Sequence, residues 1–381
     1  MSGLLLEQLG VAPYRQRFPW LGGDLQTLRD TLRPMALPPD QGQPLQIAVP
    51  ALASGAAAAG QLLAFLDRPS PLASSPLPKG LVLLLHGLGG SSRREGLRRL
   101  GLALQASGFA VLRLNLRGAD PGRHLAGGTY AAACNSDLLP ALIRARELAG
   151  DLAAAAGLQR PLPLFGAGLS LGGTMLLNAA LSTPGVLDGL FCASSPLDLA
   201  ACSASIERPR NRVYQRWLLQ RLVRQTLADP FGVREPERQQ LEAMARGEQA
   251  ATIRAFDAAI TAPRWSFASV EAYYSGASPL PGLLEPSRRS LLPPTLLLQA
   301  LDDPWVPAAA AQELQSALQV SDGAAATEGP VSVVLTPQGG HNGFHGRGDG
   351  RCNGPEPGCW SDRLALAWFD QLRVSAGVCG G

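Results

Sequence analysis

Ser170 stands in Gly168-Leu169-Ser170-Leu171-Gly172, after the apolar run Pro163 to Ala167 and before a stretch of helical character from Thr174. A serine in such a pentapeptide is held on a strained strand-to-helix bend with its hydroxyl exposed. Gly168 and Gly172 suit a bend where backbone segments approach too closely for a Cβ. The helix behind it offers free N–H groups and a positive dipole end, which favour a developing oxyanion. The pentapeptide alone would equally describe an incidental glycine-rich turn. The rest of the chain separates the two readings.

A serine hydroxyl is a weak nucleophile at neutral pH. It needs an imidazole to take its proton and a carboxylate to fix that imidazole's tautomer. Leu301-Asp302-Asp303-Pro304-Trp305-Val306-Pro307 follows the apolar run 294–300, and Gly339-Gly340-His341-Asn342-Gly343-Phe344 follows the run 331–335. A serine, then an acid, then a histidine, each just past a strand, is an order used for acyl transfer. Ser170 is assigned as nucleophile and His341 as general base, later general acid. Asp303 is favoured as the acid because Asp-x-x-Val-Pro sets it at the turn into the next helix; Asp302 is the alternative. The two N–H donors of an oxyanion hole are expected at Leu171, the residue after the nucleophile, and at Leu88, in the glycine-rich loop His86-Gly87-Leu88-Gly89-Gly90. His86 is expected to brace that loop by hydrogen bonds.

The elements that must position these residues are legible as a rhythm. Strands are expected at 44–50, 61–67, 81–85, 109–115, 163–169, 186–193, 294–300 and 331–335. Helices are expected at about 94–106, 131–149, 174–183, 308–318 and 361–373. Leu81-Val82-Leu83-Leu84-Leu85 is apolar throughout, as a strand covered on both faces must be. Strands alternating with helices imply a mostly parallel, doubly wound α/β sheet. Between about 199 and 290 the rhythm breaks into helical sequence richer in arginine and aromatics, which reads as a cap over the C-terminal edge of the sheet. The expected organisation is a segment 1–43 packing on the core, a core of 44–198 and 291–381, and the cap 199–290. Within the first segment Asp24 is expected to cap a short helix.

Composition narrows the function. The 381 residues carry a net charge of +3, with 46% hydrophobic and 17% charged residues. Such a balance is globular and argues against nucleic acid as a partner. Lys79 is the single lysine, so Schiff-base and Ser-Lys mechanisms lack a candidate. No run approaches the roughly 18 apolar residues of a membrane helix. The N-terminus lacks a signal-peptide pattern, so a cytoplasmic protein is expected, with peripheral lipid contact left open. Six scattered cysteines do not suggest a disulfide scaffold, though Cys352 and Cys359 bracket a loop and could pair if oxidised. His341, His345, Cys352 and Cys359 are spaced too loosely for a metal site. No metal and no cofactor are expected, and there is no dinucleotide fingerprint.

With these residues in hand, the chain resembles the YheT-like branch of the α/β-hydrolases, related to animal abhydrolase-domain esterases and yeast medium-chain acyl esterase/transferases. The resemblance rests on Leu85 to Ser91, Asn115-Leu116-Arg117-Gly118, Gly168 to Gly173, Asp302-Asp303-Pro304 and Gly339 to Phe344. In the cap it rests on Thr252-Ile253-Arg254-Ala255-Phe256-Asp257 and Val270-Glu271-Ala272-Tyr273-Tyr274. Phe18 to Leu28 is similar too, with Asp24 where the family often carries His. Two departures stand out: an alanine-rich stretch from Arg123 to Asp137, and an apparent insertion at 345–360. The resemblance implies an α/β-hydrolase fold and hydrolysis of small-molecule carboxylic esters of acyl chains. The alternatives are an acyltransferase or thioesterase using the same three residues, and a non-catalytic binding scaffold. The sequence leaves the oligomeric state open.

Overall fold

Eight strands form one sheet in the order β1-β2-β4-β3-β5-β6-β7-β8. The computed structural model describes residues 2–70, 77–247, 251–321, 329–349 and 358–375. Cys352 and residues 350–357 of the apparent 345–360 insertion lie outside the described residues. The strands are β1 (Gln43–Val49), β2 (Gly60–Asp67), β3 (Leu81–Leu85), β4 (Ala110–Leu114), β5 (Leu164–Leu169), β6 (Gly189–Ala193), β7 (Thr295–Ala300) and β8 (Val331–Thr336). β1 and β2 pair antiparallel, as do β2 and β4; every other pairing is parallel. β3, β4, β6 and β7 are buried at every residue. Their unbroken apolar runs follow from helices covering both faces.

Four helices precede β5 in the chain. They are α1 (Ser2–Gln8), α2 (Gly23–Leu32), α3 (Glu95–Ala106) and α4 (Asn135–Ala155). α5 (Leu171–Ser182) leaves β5 directly through Ser170. The helix expected from 131 begins at Asn135, because Tyr130 to Cys134 are used in loop contacts. Asp137 in its first turn pairs with Arg117 at 2.8 Å, both side chains fully buried. Arg117 also donates to the Pro50 and Gly127 carbonyls, which ties the end of β4 to α4. The strand expected from 186 starts at Gly189, after the Asp188 carboxylate accepts the Leu164 N–H at 2.7 Å.

The expected capping role of Asp24 is not observed. α2 starts two residues earlier than that cap would set it, at Gly23, with Gly22 at φ 80° as its cap. Asp24 instead faces outward from the first turn and accepts from Arg210 at 3.0 Å and Tyr214 at 3.0 Å.

Between β6 and β7 the described chain is helical. It holds α6 (Leu199–Ile206), α7 (Arg212–Leu227) and α8 (Glu235–Arg246), then shorter helices to Arg289. Ile206, Leu218, Leu219, Leu222, Val223, Leu241, Met244, Ile253, Phe256 and Ile260 form a small cluster of their own. Val270, Tyr273, Tyr274, Leu280 and Leu283 instead join the large core on one face of the sheet. A second core on the other face gathers Phe109, Phe165, Phe191 and Phe369.

Candidate active site

The parallel register sets the C-terminal ends of β3, β5, β7 and β8 along one edge: Leu85 opposes Gly168, Leu169 opposes Ala193, and Ala300 opposes Thr336. Residues just past those ends therefore converge. Ser170 turns the chain from β5 into α5 at φ 56°, ψ −130°. A non-glycine residue in that region carries about 1–3 kcal/mol of strain and persists only where its surroundings enforce it. The enforcement is visible. The Ser170 N–H donates to the Ala193 carbonyl at 2.8 Å, and a Cβ at Gly172 would lie 2.5 Å from the Leu85 carbonyl oxygen. A Cβ at Gly168 would collide with the Gly173 backbone.

Ser170 Oγ lies 2.9 Å from His341 Nε2. On the far side of the ring, His341 Nδ1 lies 2.9 Å from Asp303 Oδ2 and 3.2 Å from Oδ1. Asp303 is held by its own turn, accepting from the Trp305 N–H at 2.8 Å and the Val306 N–H at 3.0 Å, and from Gln299 Nε2 at 3.3 Å. Asp302 is directed elsewhere and accepts the Gly340 N–H at 2.9 Å. Burial raises its carboxyl above the ordinary value. The neighbouring acids are thus divided between two tasks, and only Asp303 touches the imidazole. The His341 ring packs against Trp305 with centroids 4.5 Å apart.

The loop after β3 comes close to Ser170. A Cβ at Gly87 would fall 2.9 Å from the Ser170 Cβ, so Leu88 follows within one residue of that contact. Among the described residues no acceptor takes the backbone hydrogen of Leu88 or of Leu171. His86 braces the loop as expected. Burial lowers its pKa to about 4, so the ring is neutral. Its contacts fit one tautomer, with Nδ1–H donating to the Gly87 carbonyl at 2.9 Å and Nε2 accepting from the Leu116 N–H at 3.3 Å. Tyr130 adds a hydroxyl donated to the Gly87 carbonyl at 3.0 Å.

A cavity of about 330 Å³ opens over this edge. Ser170 and His341 lie on its sheet side, and Leu218, Leu222, Ile253 and Phe256 on its helical side. One carboxylate interrupts that helical wall. Asp257 accepts from Thr261 Oγ1 at 2.7 Å and from the Tyr274 hydroxyl at 2.9 Å. Burial raises its carboxyl to about 6. It opens the π-helical turn Asp257–Thr261, and such turns are frequent at functional sites.

Residues 82–351 match the alpha/beta hydrolase family. The chain belongs to it. The relatives of this alpha/beta hydrolase include a Synechocystis protein carrying an esterase name, slr0264, 27% identical over 79% of this chain and 81% of that protein. Escherichia coli YheT, also named as an esterase, is 34% identical over 48% of this chain and 49% of its own length. Human phospholipase ABHD3 is 28% identical over 69% of this chain. The matched part spans 58% of the human protein. The resemblance to the YheT-like branch drawn from the motifs is thus met by YheT itself among the relatives.

Within this alpha/beta hydrolase the N-terminal segment does more than cover the core. Thr27 Oγ1 accepts the His341 N–H at 2.8 Å and donates to the Gly23 carbonyl at 2.7 Å. Gln26, 1% exposed, donates to the Trp20 and His345 carbonyls and accepts the His345 N–H at 2.8 Å. The loop bearing His341 is therefore held by α2 at two points, His341 and His345. Sequence reasoning missed Thr27, Gln26 and Trp305. The one available signal was the family-like phrasing of Phe18 to Leu28, which marked the stretch without saying what it touches. Among the described residues no helix is long and apolar enough to cross a membrane.

Proposed function

We propose that this chain is a serine carboxylic-ester hydrolase acting through an acyl-enzyme. The observation that carries the reading is the continuous contact from Ser170 Oγ through His341 to Asp303, 2.9 Å at each step. Ser170 Oγ attacks the acyl carbon while His341 Nε2 takes its proton. Asp303 holds Nδ1–H toward itself and stabilises the imidazolium. The N–H groups of Leu88 and Leu171 receive the oxyanion. His341 then protonates the departing alkoxide, and the alcohol leaves. Water, deprotonated by the same imidazole, attacks the acyl-enzyme and releases the acid.

The substrate is a small-molecule acyl ester, in keeping with the apolar wall of the cavity and with the esterase names of the relatives. Residues 199–290 act as the cap that selects it, over a core of 44–198 and 291–381 with 1–43 packed against it. The site of action is cytoplasmic in this reading. The test is steady-state hydrolysis of p-nitrophenyl esters of graded acyl length. Wild type turns over at least one chain length, and Ser170→Ala lowers kcat by at least about 10⁴-fold while binding is retained. Activity that survives Ser170→Ala would overturn the assignment.

A further inference from the structure

Two arginines beside the cavity stand apart from the others buried near the sheet. Arg99 pairs with Asp30 and Asp362, Arg113 with Asp40 and Asp67, and Arg117 with Asp137. Arg94 and Arg221 pair with no carboxylate among the described residues. The Arg94 side chain makes no hydrogen bond there, and Arg221 makes one, from Nε to the Gly89 carbonyl. Both are half-buried, and both guanidinium carbons lie 5.7 Å from the centroid of the Trp217 ring.

Arg94 and Trp217 line the same cavity as Ser170, and Trp217 is 43% exposed, so the cavity reaches solvent here. We infer that Arg94 and Arg221 bind an anionic group, a phosphate or a carboxylate, carried by the ester on which Ser170 acts. This inference rests on the serine-hydrolase reading for the identity of the substrate, but not for the existence of the site.

Holding two like charges together without a counterion is costly. Burial, then the charge of Arg221, pulls Arg94 down to about 10. Burial likewise lowers Arg221. The nearby carboxylate of Asp120 is already engaged by Arg123 at 2.8 Å. An anion beside these guanidiniums would meet charge-assisted donors on Arg94 and on the Arg221 terminal nitrogens that, among the described residues, no protein group occupies. Arg94 also precedes the first turn of the twelve-residue helix α3, whose dipole adds to the attraction. Arg221 grips Gly89, one residue beyond Leu88. An anion held here would therefore sit against the loop that carries one proposed oxyanion donor.

The experiment is isothermal titration of the full chain with octyl phosphate, octanoate and octanol, which share an alkyl chain and differ in charge. Wild type and Ser170→Ala bind the favoured anion about tenfold or more tighter than octanol. That advantage shrinks at high salt. A larger advantage for octyl phosphate identifies phosphate as the preferred group, and one for octanoate identifies carboxylate. Arg94→Gln loses about tenfold in anion affinity and keeps its octanol affinity; Arg94→Lys keeps part of the anion affinity. Because the Arg94 side chain makes no hydrogen bond among the described residues, Arg94→Gln leaves no described group unpaired. Equal affinity for all three ligands in wild type would overturn the inference. So would an anion preference unchanged in the Arg94→Gln/Arg221→Gln double variant. Binding to Ser170→Ala separates this result from any failure of the proposed chemistry.

Discussion

The sheet edge and the helices above it are held by different kinds of contact. At the edge, Ser170, Asp303 and His341 sit one to five residues past largely buried strands, and each is fixed through backbone N–H groups: Ser170 to the end of β6, Asp303 by its own turn, and His341 to Thr27 of α2. Above it, α6 to α8 and the turn at Ile253–Ile260 share a small apolar cluster, and among the described residues no strand joins them to the sheet. The first arrangement suits groups that must be positioned to a few tenths of an ångström. The second suits a wall that can differ between relatives while the chemistry below it stays the same. Under the proposed function the two regions do separate work: the edge supplies reactive atoms, and the helices select what reaches them.

The largest effects are expected at the edge. Asp303→Asn should lower kcat/KM for a p-nitrophenyl ester by about 10⁴-fold, because the imidazole loses the acceptor that fixes its tautomer. Asp302→Asn keeps an acceptor for the Gly340 N–H and should cost less than about tenfold. Equal losses would mean that the two acids share one task. Next come matched truncations of fully buried leucines, each costing about 2–5 kcal/mol. Leu83→Ala, in β3, should lower the global unfolding free energy. Leu241→Ala, in α8, should release amide protection over α7 and α8 and leave the sheet amides protected. Hydrogen exchange reads both.

The third test concerns charge in the helical wall. Burial raises the Asp257 carboxyl from 3.8 to about 6. The folded protein therefore keeps this proton to higher pH than the unfolded chain does. Stability from this group is complete below pH 3.8 and is lost as pH rises through 6, on the order of 3 kcal/mol in all. Asp257→Asn should remove that decline, measured as the difference in urea unfolding free energy between pH 4 and pH 7. The smallest effect is expected at the clasp on the histidine loop. Thr27→Val leaves the His341 N–H without its acceptor and should cost about tenfold in kcat/KM. Thr27→Ser should restore it.

How much of this was legible in the sequence follows from the range of each contact. The elbow at Ser170 and the loop at His341 were readable because their signals are local: an apolar run, a glycine-rich turn, a reactive residue. The choice between Asp302 and Asp303 turned on a local signal too, the turn whose Trp305 and Val306 N–H groups capture Asp303. Asp24 misled because a favourable capping residue lay one position inside a helix whose start is set by Gly22. Thr27 was unreadable as a support for His341, since the two are 314 residues apart in the chain. The helical wall was readable as helices and no further. Its cluster depends on which faces of α7 and α8 meet, and apolar spacing alone does not pair one helix with another.

The proposed chemistry requires Ser170 to carry the acyl group. The most direct measurement is fluorophosphonate labelling of the folded chain followed by peptide mass mapping. One adduct is expected, on the peptide containing Ser170, absent from Ser170→Ala and strongly slowed in His341→Ala. An unlabelled wild type, or an adduct on any other residue, would contradict it.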